Sequence, residues 1–286
     1  MSRGRIADAF ARADRAGRAA FVAYLTAGYP DEDRALAAAR VLARHADVLE
    51  IGLPFSDPLG DGPTIQRASE AALAGGTTTK GTLDLVRRLR AESEVALAVM
   101  TYYNPVFAYR GPAGRGERAF VQDARAAGVD ALILPDLPPD EGPELIAAAR
   151  EVELDTVFLV APTSTDARLA LVTGACRGFV YAVSVTGVTG ARAGMPPEVP
   201  ALVDRARRAG GLPVAVGFGV ADPATAAGVA AFADGVVVGS ALVDLVGRMR
   251  DAGDTADLDA AATGLAAAMA RGAQLARTLT MGPSAR

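Results

Sequence analysis

Short apolar runs alternate with longer Ala- and Arg-rich segments along the whole chain. AAFVAYLTA, DVLEIGL, VALAVMTYY, DALILPD, DTVFLVAP, GFVYAVSV, PVAVGFG and DGVVVGS read as eight strands. Most are apolar at successive positions, the pattern of parallel strands covered on both faces. Between them DEDRALAAARVLARHA, GTLDLVRRLRAES, GERAFVQDARAAG, GPELIAAAREV, DARLALVTGAC, PEVPALVDRARRAG and DPATAAGVAAFA read as helices. The phrases AAGVDA, RAGGLP and FADGVV place a glycine where a helix must stop before the next strand.

Eight β/α units predict an α/β fold, a (β/α)8 TIM barrel built as one domain over residues 1–286. The rival is a doubly wound open sheet, which normally shows a G-x-G-x-x-G turn after its first strand; none follows FVAYLTA. Residues 1–17 carry charges at helical spacing with no continuous apolar core, so they predict an extra amphipathic N-terminal helix, not a signal peptide. DAGDTADLDAAATGLAAAMARGAQLARTL reads as the closing helix and residues 281–286 as a frayed tail.

Composition narrows the function. About half of the 286 residues are hydrophobic, enough for one large core. The net charge of −4 is spread in mixed signs, and no basic stripe points to nucleic acid. No apolar run approaches a membrane span. Cys176 is the only cysteine, so no internal disulfide forms and a reducing cytoplasm fits.

In such barrels the active site lies at the C-terminal ends of the strands and in the loops after them. Glu50 passes this filter, near the end of the second strand. A buried strand disfavours an ionised group without a partner, and burial raises a carboxyl pKa into a range suited to proton transfer. The loop PFSDPLGDGPT follows at once. Asp57 reads as turn chemistry; Asp61 reads equally as a turn residue or as an acid facing Glu50 across a ligand. His45, the only histidine, lies at a helix end away from the C-terminal loops, which disfavours a Ser-His-Asp triad and a histidine metal site. Lys80, the only lysine, sits at a helix start, so no strand-end lysine is available for a Schiff base. Glycines cluster after the last three strands, in SVTGVTG (184–190), GFGV (217–220) and VVVGSAL (236–242). There backbone N–H groups and a helix N-terminus can hold a phosphate. Tyr24, Tyr102 and Tyr181 fall near strand ends and together can line a pocket for a flat ring, although core packing explains each one alone.

The motifs EIGLPFSDPLGDGPTIQRAS, MTYYNPVF, LILPDLPPDE, LVAPTS, SVTGVTGAR, VGFGV and GVVVGSA strongly resemble the α subunit of tryptophan synthase, over nearly the whole chain. The resemblance implies retro-aldol cleavage of indole-3-glycerol phosphate to indole and glyceraldehyde 3-phosphate, without a metal or organic cofactor on this chain. It implies a β subunit as partner, carrying pyridoxal phosphate and receiving indole, in an α2β2 heterotetramer. By residue matching, Glu50 is the catalytic proton shuttle, and Asp61 accepts the indole N–H and stabilises positive charge on the ring. Tyr24, Tyr102 and Tyr181 fall on substrate-binding positions, and Thr189 on the residue that meets Asp61 when the site closes. Gly190, Gly219, Gly239 and Ser240 fall on phosphate-binding positions.

Two other readings stand beside this one. An indole-glycerol-phosphate synthase or phosphosugar isomerase shares the phosphate-binding barrel, but the former is expected to carry strand-end lysines. A non-enzymatic scaffolding subunit would have no need of Glu50 and Asp61. For partner docking, Pro54, Phe55 and Pro58, with Asn104, Pro105 and Phe107 on the next loop, are expected as an exposed apolar rim.

Overall fold

The computed structural model describes residues 4–183, 197–217 and 219–280, excluding the side chains of 271 and 273–280. The expected frayed tail, 281–286, lies outside the described residues.

The barrel strands are Ala20–Thr26, Val48–Gly52, Ala96–Met100, Ala131–Ile133, the pair Asp155–Val157 and Leu159–Val160, then Val180–Val183, Val214–Gly217 and Gly235–Val238. All barrel neighbours pair in parallel, and the first strand closes on the last with Ala20 opposite Gly235. The fifth strand, expected as one run, is split. Asp155–Val157 pairs with the fourth strand, and Leu159–Val160 pairs with the sixth. Phe158 stands between the pieces; its N–H points to Cys176 Sγ at 3.3 Å, while its carbonyl accepts from Tyr181 N at 3.2 Å. The lone cysteine is thus a packing and acceptor residue beside the break.

Alternation along each strand separates two cores. Phe21, Ala23, Leu25, Leu49, Ile51, Leu97, Val99 and Leu132 point outward, into the layer between sheet and helices. Val22, Val48, Ala98, Ala131, Ile133, Val157, Ala215 and Val237 point inward. The inner set is small, and the N-terminal helix Arg5–Arg15 fills the space left at the bottom. Ile6, Ala9, Phe10 and Ala13 join the inner core, with Phe10 stacked on Phe179 at 5.1 Å. Inward parity continues upward through Tyr24, Glu50 and Tyr181.

Ion pairs fasten the bottom of the barrel in a repeated pattern. Asp47, Asp130 and Asp234 each precede a strand and accept a backbone N–H from the neighbouring one, at Phe21, Leu97 and Val214 respectively. Each carboxylate also takes an arginine: Arg18, Arg90 and Arg207. The arginines come from the chain around the strand starts, so each clamp joins two β/α units.

Three helices escape the hydrophobic pattern: Pro63–Ala74, Tyr103–Phe107 and Ser240–Arg248. Pro63–Ala74 begins inside a proline-rich stretch that reads as loop. Its Gly62 cap followed by Pro63 in the first turn is nevertheless a good helix start, since proline lacks only an N–H that has no helical acceptor there. His45 Nε2 donates to the Asp259 carboxylate at 3.0 Å on the closing helix Ala256–Thr280, a structural contact.

Candidate active site

Glu50 lies on the second strand, opposite Tyr24 on the first and Ala98 on the third. It is 1% exposed. Among the described residues its Oε2 has no hydrogen-bond partner, so the carboxyl is aimed into the barrel mouth with an unspent polar atom. Burial first, and then the charge of Asp61, push its pKa from 4.5 to about 8.

Asp61 reaches the same region from the following loop. Its backbone N–H donates to Pro58 O, and its carbonyl accepts from the Gln66 side chain in the helix that follows. The side chain is turned inward, leaving the residue 8% exposed. Burial raises its pKa to about 6, opposed by a hydrogen bond from Tyr102. The two acids are therefore in different states near neutral pH: Glu50 holds a proton and Asp61 is largely ionised. Environments that push two carboxyls apart in this way assign an acid and an anion.

The tyrosines complete the walls. Tyr24 contacts Thr26 through the hydroxyls at 3.3 Å, and its phenol occupies the space over Gly52. Tyr181 likewise fills the space over Gly217. Burial, with the nearby charges of Asp61 and Glu50, holds both phenols well above the ordinary tyrosine range, so both are neutral. Tyr102 accepts from Gly60 N at 2.9 Å, and its ring packs on Phe55 at 5.3 Å. The site thus brings together Glu50, Asp61, Tyr24, Tyr102 and Tyr181.

At the seventh and eighth strands, Gly219 has φ +82°, a left-handed conformation suited to glycine. Gly239 caps the helix Ser240–Arg248, whose first turn carries no acidic residue and whose cap makes no side-chain hydrogen bond. Leu242 and Val243 N–H groups use the Gly239 carbonyl, whereas the N–H groups of Ser240 and Ala241 have no intrahelical acceptor. This end is a fit place for an anion. Thr189 and Gly190, with the rest of 184–190, lie outside the described residues.

Other residues fall as follows. Asp57 is exposed and accepts from Ser56, the expected local turn contact. Lys80 is exposed at the start of helix Thr79–Arg90, away from any strand end. The expected rim needs one correction: Pro54 is buried. Leu53 N still donates to Met100 O, so the chain stays within the barrel wall through this point and turns outward only afterwards. Among the large hydrophobics, Leu59 and Phe107 are the exposed ones in these loops, at 94% and 65%. Thr26, Gly52 and Gln66 were not evident in the sequence as site residues; inward parity marks the first two. No group of three His, Cys, Asp or Glu suited to a metal occurs among the described residues.

Comparison with known proteins gives a consistent result. The family model described as tryptophan synthase alpha chain matches residues 10–275. The tryptophan synthase alpha chain of Deinococcus radiodurans is 56% identical over 254 residues, covering 88% of this chain and 92% of that one. The corresponding chain of Phenylobacterium zucineum is 46% identical, covering 97% and 98%. Among solved structures, tryptophan synthase of Mycobacterium tuberculosis superposes with a TM-score of 0.84 at 44% identity, covering 94% of this chain and 99% of that one. A tryptophan synthase complex from Pyrococcus furiosus gives 0.78 at 36% identity, covering 87% and 98%. The matches span the barrel and both candidate acids, and the chain belongs to the tryptophan synthase alpha chain family.

Proposed function

We propose that Glu50 and Asp61 divide the acid–base work of this family's reaction, cleavage of indole-3-glycerol phosphate to indole and glyceraldehyde 3-phosphate. The protonated Glu50 gives its proton to indole C3. The ring becomes cationic, and the charge is shared with the ring nitrogen. Asp61, ionised, accepts the ring N–H and stabilises that cation. Glu50, now a carboxylate, takes the proton of the hydroxyl on the adjacent glycerol carbon. The C–C bond breaks, its electrons return to the indole ring, and the glycerol carbon becomes the aldehyde. Glu50 ends protonated, so the cycle closes without a net proton. No step calls on a metal or cofactor, and the chemistry is that of a carbon–carbon lyase.

The neutral phenols of Tyr24, Tyr102 and Tyr181 would wall the indole. The phosphate would sit on the N–H groups near Gly219, Gly239 and Ser240, with Gly190 contributing from the loop after the sixth strand, and Thr189 would meet Asp61 when the site closes. The observation that carries the reading is the placement of two buried carboxyls from one short stretch of chain in the same region, Glu50 at 1% and Asp61 at 8% exposure, with Glu50 Oε2 unpartnered among the described residues.

The partner in this reading is a β subunit, in an α2β2 assembly, carrying pyridoxal phosphate and taking up the indole. The exposed Leu59 and Phe107 support docking at the mouth of the barrel, beside the loop that holds Asp61. Docking there would favour the closed site and raise turnover. A cytoplasmic location accompanies this assignment. The test is indole release from indole-3-glycerol phosphate by the purified chain, then with β subunit titrated in. Absence of indole in both conditions would remove the reading.

A further inference from the structure

Asp136 lies in LPDLPPDE, beyond the end of the fourth strand, and the proposed chemistry gives it no task. Its carboxylate is nevertheless committed. Both oxygens accept the Tyr103 N–H, at 2.9 and 3.1 Å. Tyr103 opens the short helix Tyr103–Phe107, which has no capping side chain at its own Tyr102. Asp136 therefore supplies that cap from another loop. The ladder between the third and fourth strands ends just below, at Thr101 N to Ile133 O. Above it, the Asp136–Tyr103 contact ties the two loops together.

The fixed peptide is the one that aims Tyr102. On one side, the Tyr103 hydroxyl donates to Glu117 at 2.7 Å. On the other, the Tyr102 hydroxyl accepts from the N–H of Gly60, the residue before Asp61, at 2.9 Å, and lies near enough to the Asp61 carboxyl to hold its pKa down. A continuous chain of contacts therefore runs from the Asp136 carboxylate, through the Tyr102–Tyr103 peptide, to the Asp61 loop.

Resting on the function proposed above, we propose that Asp136 is a positioning residue for Asp61, acting through the Tyr102–Tyr103 backbone. Asp136 is exposed, so water can replace it at the Tyr103 N–H with little loss of stability. Water does not hold the peptide in one orientation. The loss falls on the placement of the Tyr102 hydroxyl, and through it on Asp61. Misplacement of a reacting group by about 1 Å can cost as much as a hundredfold in rate. The groups facing Asp61 are Glu50 from the second strand, Tyr24 from the first, Tyr102 from the loop after the third and Tyr181 from the sixth. Of these, Tyr102 lowers the Asp61 pKa by its hydrogen bond. Weakening that bond lets the pKa rise, and the acid limb of activity moves to higher pH.

The experiment is a mutant cycle on the purified full chain, read by cleavage of indole-3-glycerol phosphate as a function of pH. D136A should lower kcat by roughly tenfold, change KM less, and move the acid limb upward. D136N, whose amide oxygen still accepts the Tyr103 N–H, should restore most of the rate. Y102F removes the hydroxyl directly, and adding D136A to it should cost nothing further, because residues acting in series are not additive. If D136A does not fold, D136S, which keeps one acceptor, carries the same readings at smaller amplitude. An unchanged rate and acid limb in D136A, equal costs with and without Y102F, or failure of D136N to restore the rate would overturn the proposal. E50Q is assayed alongside. An active E50Q removes the function proposed for the site, whereas an inactive E50Q with an unaltered D136A removes only the role of Asp136.

Discussion

A Cβ on Gly52 would lie 2.1 Å from the Tyr24 hydroxyl, so the last residue of the second strand yields its side-chain space to a phenol on the first. The same relation recurs across the barrel, where a Cβ on Gly217 would lie 2.3 Å from the Tyr181 hydroxyl. Both glycines end strands, and both make room for tyrosines that flank Glu50. Gly52→Ala and Gly217→Ala should displace these rings. Indole release is expected to fall at least about tenfold in each, by misplacing groups around the substrate. Circular dichroism should show the barrel retained. Wild-type turnover in both variants would mean that the phenols have no part in the reaction.

Glu50→Gln should reduce turnover by about a hundredfold or more, since it removes the group proposed to transfer the proton. It should also alter the pH dependence of stability. The folded-state pKa of Glu50 is raised from 4.5 to about 8, so the folded chain holds a proton that the unfolded chain releases. The stability that this contributes is present below the unfolded value and is lost as pH rises through about 8. Gln carries no such loss. Melting temperatures compared between pH 6.5 and 9 should therefore move in favour of the variant as pH rises. Parallel curves would show that Glu50 does not bind a proton in this range.

The pH profile of kcat/KM should be a bell. Below about 6 Asp61 gains a proton and would no longer stabilise the ring cation proposed for it; above about 8 Glu50 loses the proton that the proposed mechanism has it donate. The two limbs belong to the coupled pair, since the charge of Asp61 is itself one cause of the raised Glu50 pKa. Steady-state assays from pH 5 to 9.5 check this. A flat profile across that span contradicts the assignment of acid and anion.

At Gly219, Asp and Asn substitutions separate charge from backbone strain. Both must adopt φ +82°, which Asn and Asp tolerate better than most residues. Only Asp repels a phosphate dianion. Titration with glycerol phosphate should show much weaker binding to Gly219→Asp than to Gly219→Asn, with indole bound equally by both. Equal affinities for glycerol phosphate would place the phosphate elsewhere.

Asp47→Ala should cost stability and leave the chemistry alone. It removes a carboxylate that takes two Arg18 contacts and the Phe21 N–H at the bottom of the barrel. Arg18 is partly exposed, so the loss should be roughly 2–3 kcal/mol, below that of a fully buried pair. Urea melts measure it, and kcat at a temperature where the variant is folded should match the wild type. A loss below about 0.5 kcal/mol would reduce the clamp to an ordinary surface ion pair.

The barrel and its central acid were legible because both follow from local pattern. A charge within an apolar run, near the C-terminal end of the second strand, singled out Glu50. Asp61 was ambiguous, since Asp before Gly fits a turn as well as a site; what decides its orientation is the Gln66 contact and the helix after it. Gly217 was grouped with glycines for an anion, whereas its space belongs to Tyr181. Pro54 was expected at the rim because proline-rich loops usually leave the wall, yet the Leu53–Met100 ladder contact keeps the chain inside. Asp136 ends the strand phrase DALILPD, yet its task was not legible: its partner Tyr103 lies 33 residues away, and the contact exists only because the barrel brings adjacent loops together.

The split at Phe158 makes the ring a ribbon with a join. Its two outer edges, Asp155–Val157 and Leu159–Val160, belong to one short length of chain, and a single residue between them carries closure. A ribbon of this kind loosens at its join before it loosens elsewhere. In hydrogen exchange on the folded chain, the amides of Val157 to Val160 should be the first among the strand amides to exchange, ahead of those of Val22 and Leu49 deep in the opposite wall. A substitution that detaches Phe158 from Cys176 should hasten that opening while sparing the acids, since the second strand that carries Glu50 and the loop after it that carries Asp61 do not touch the join.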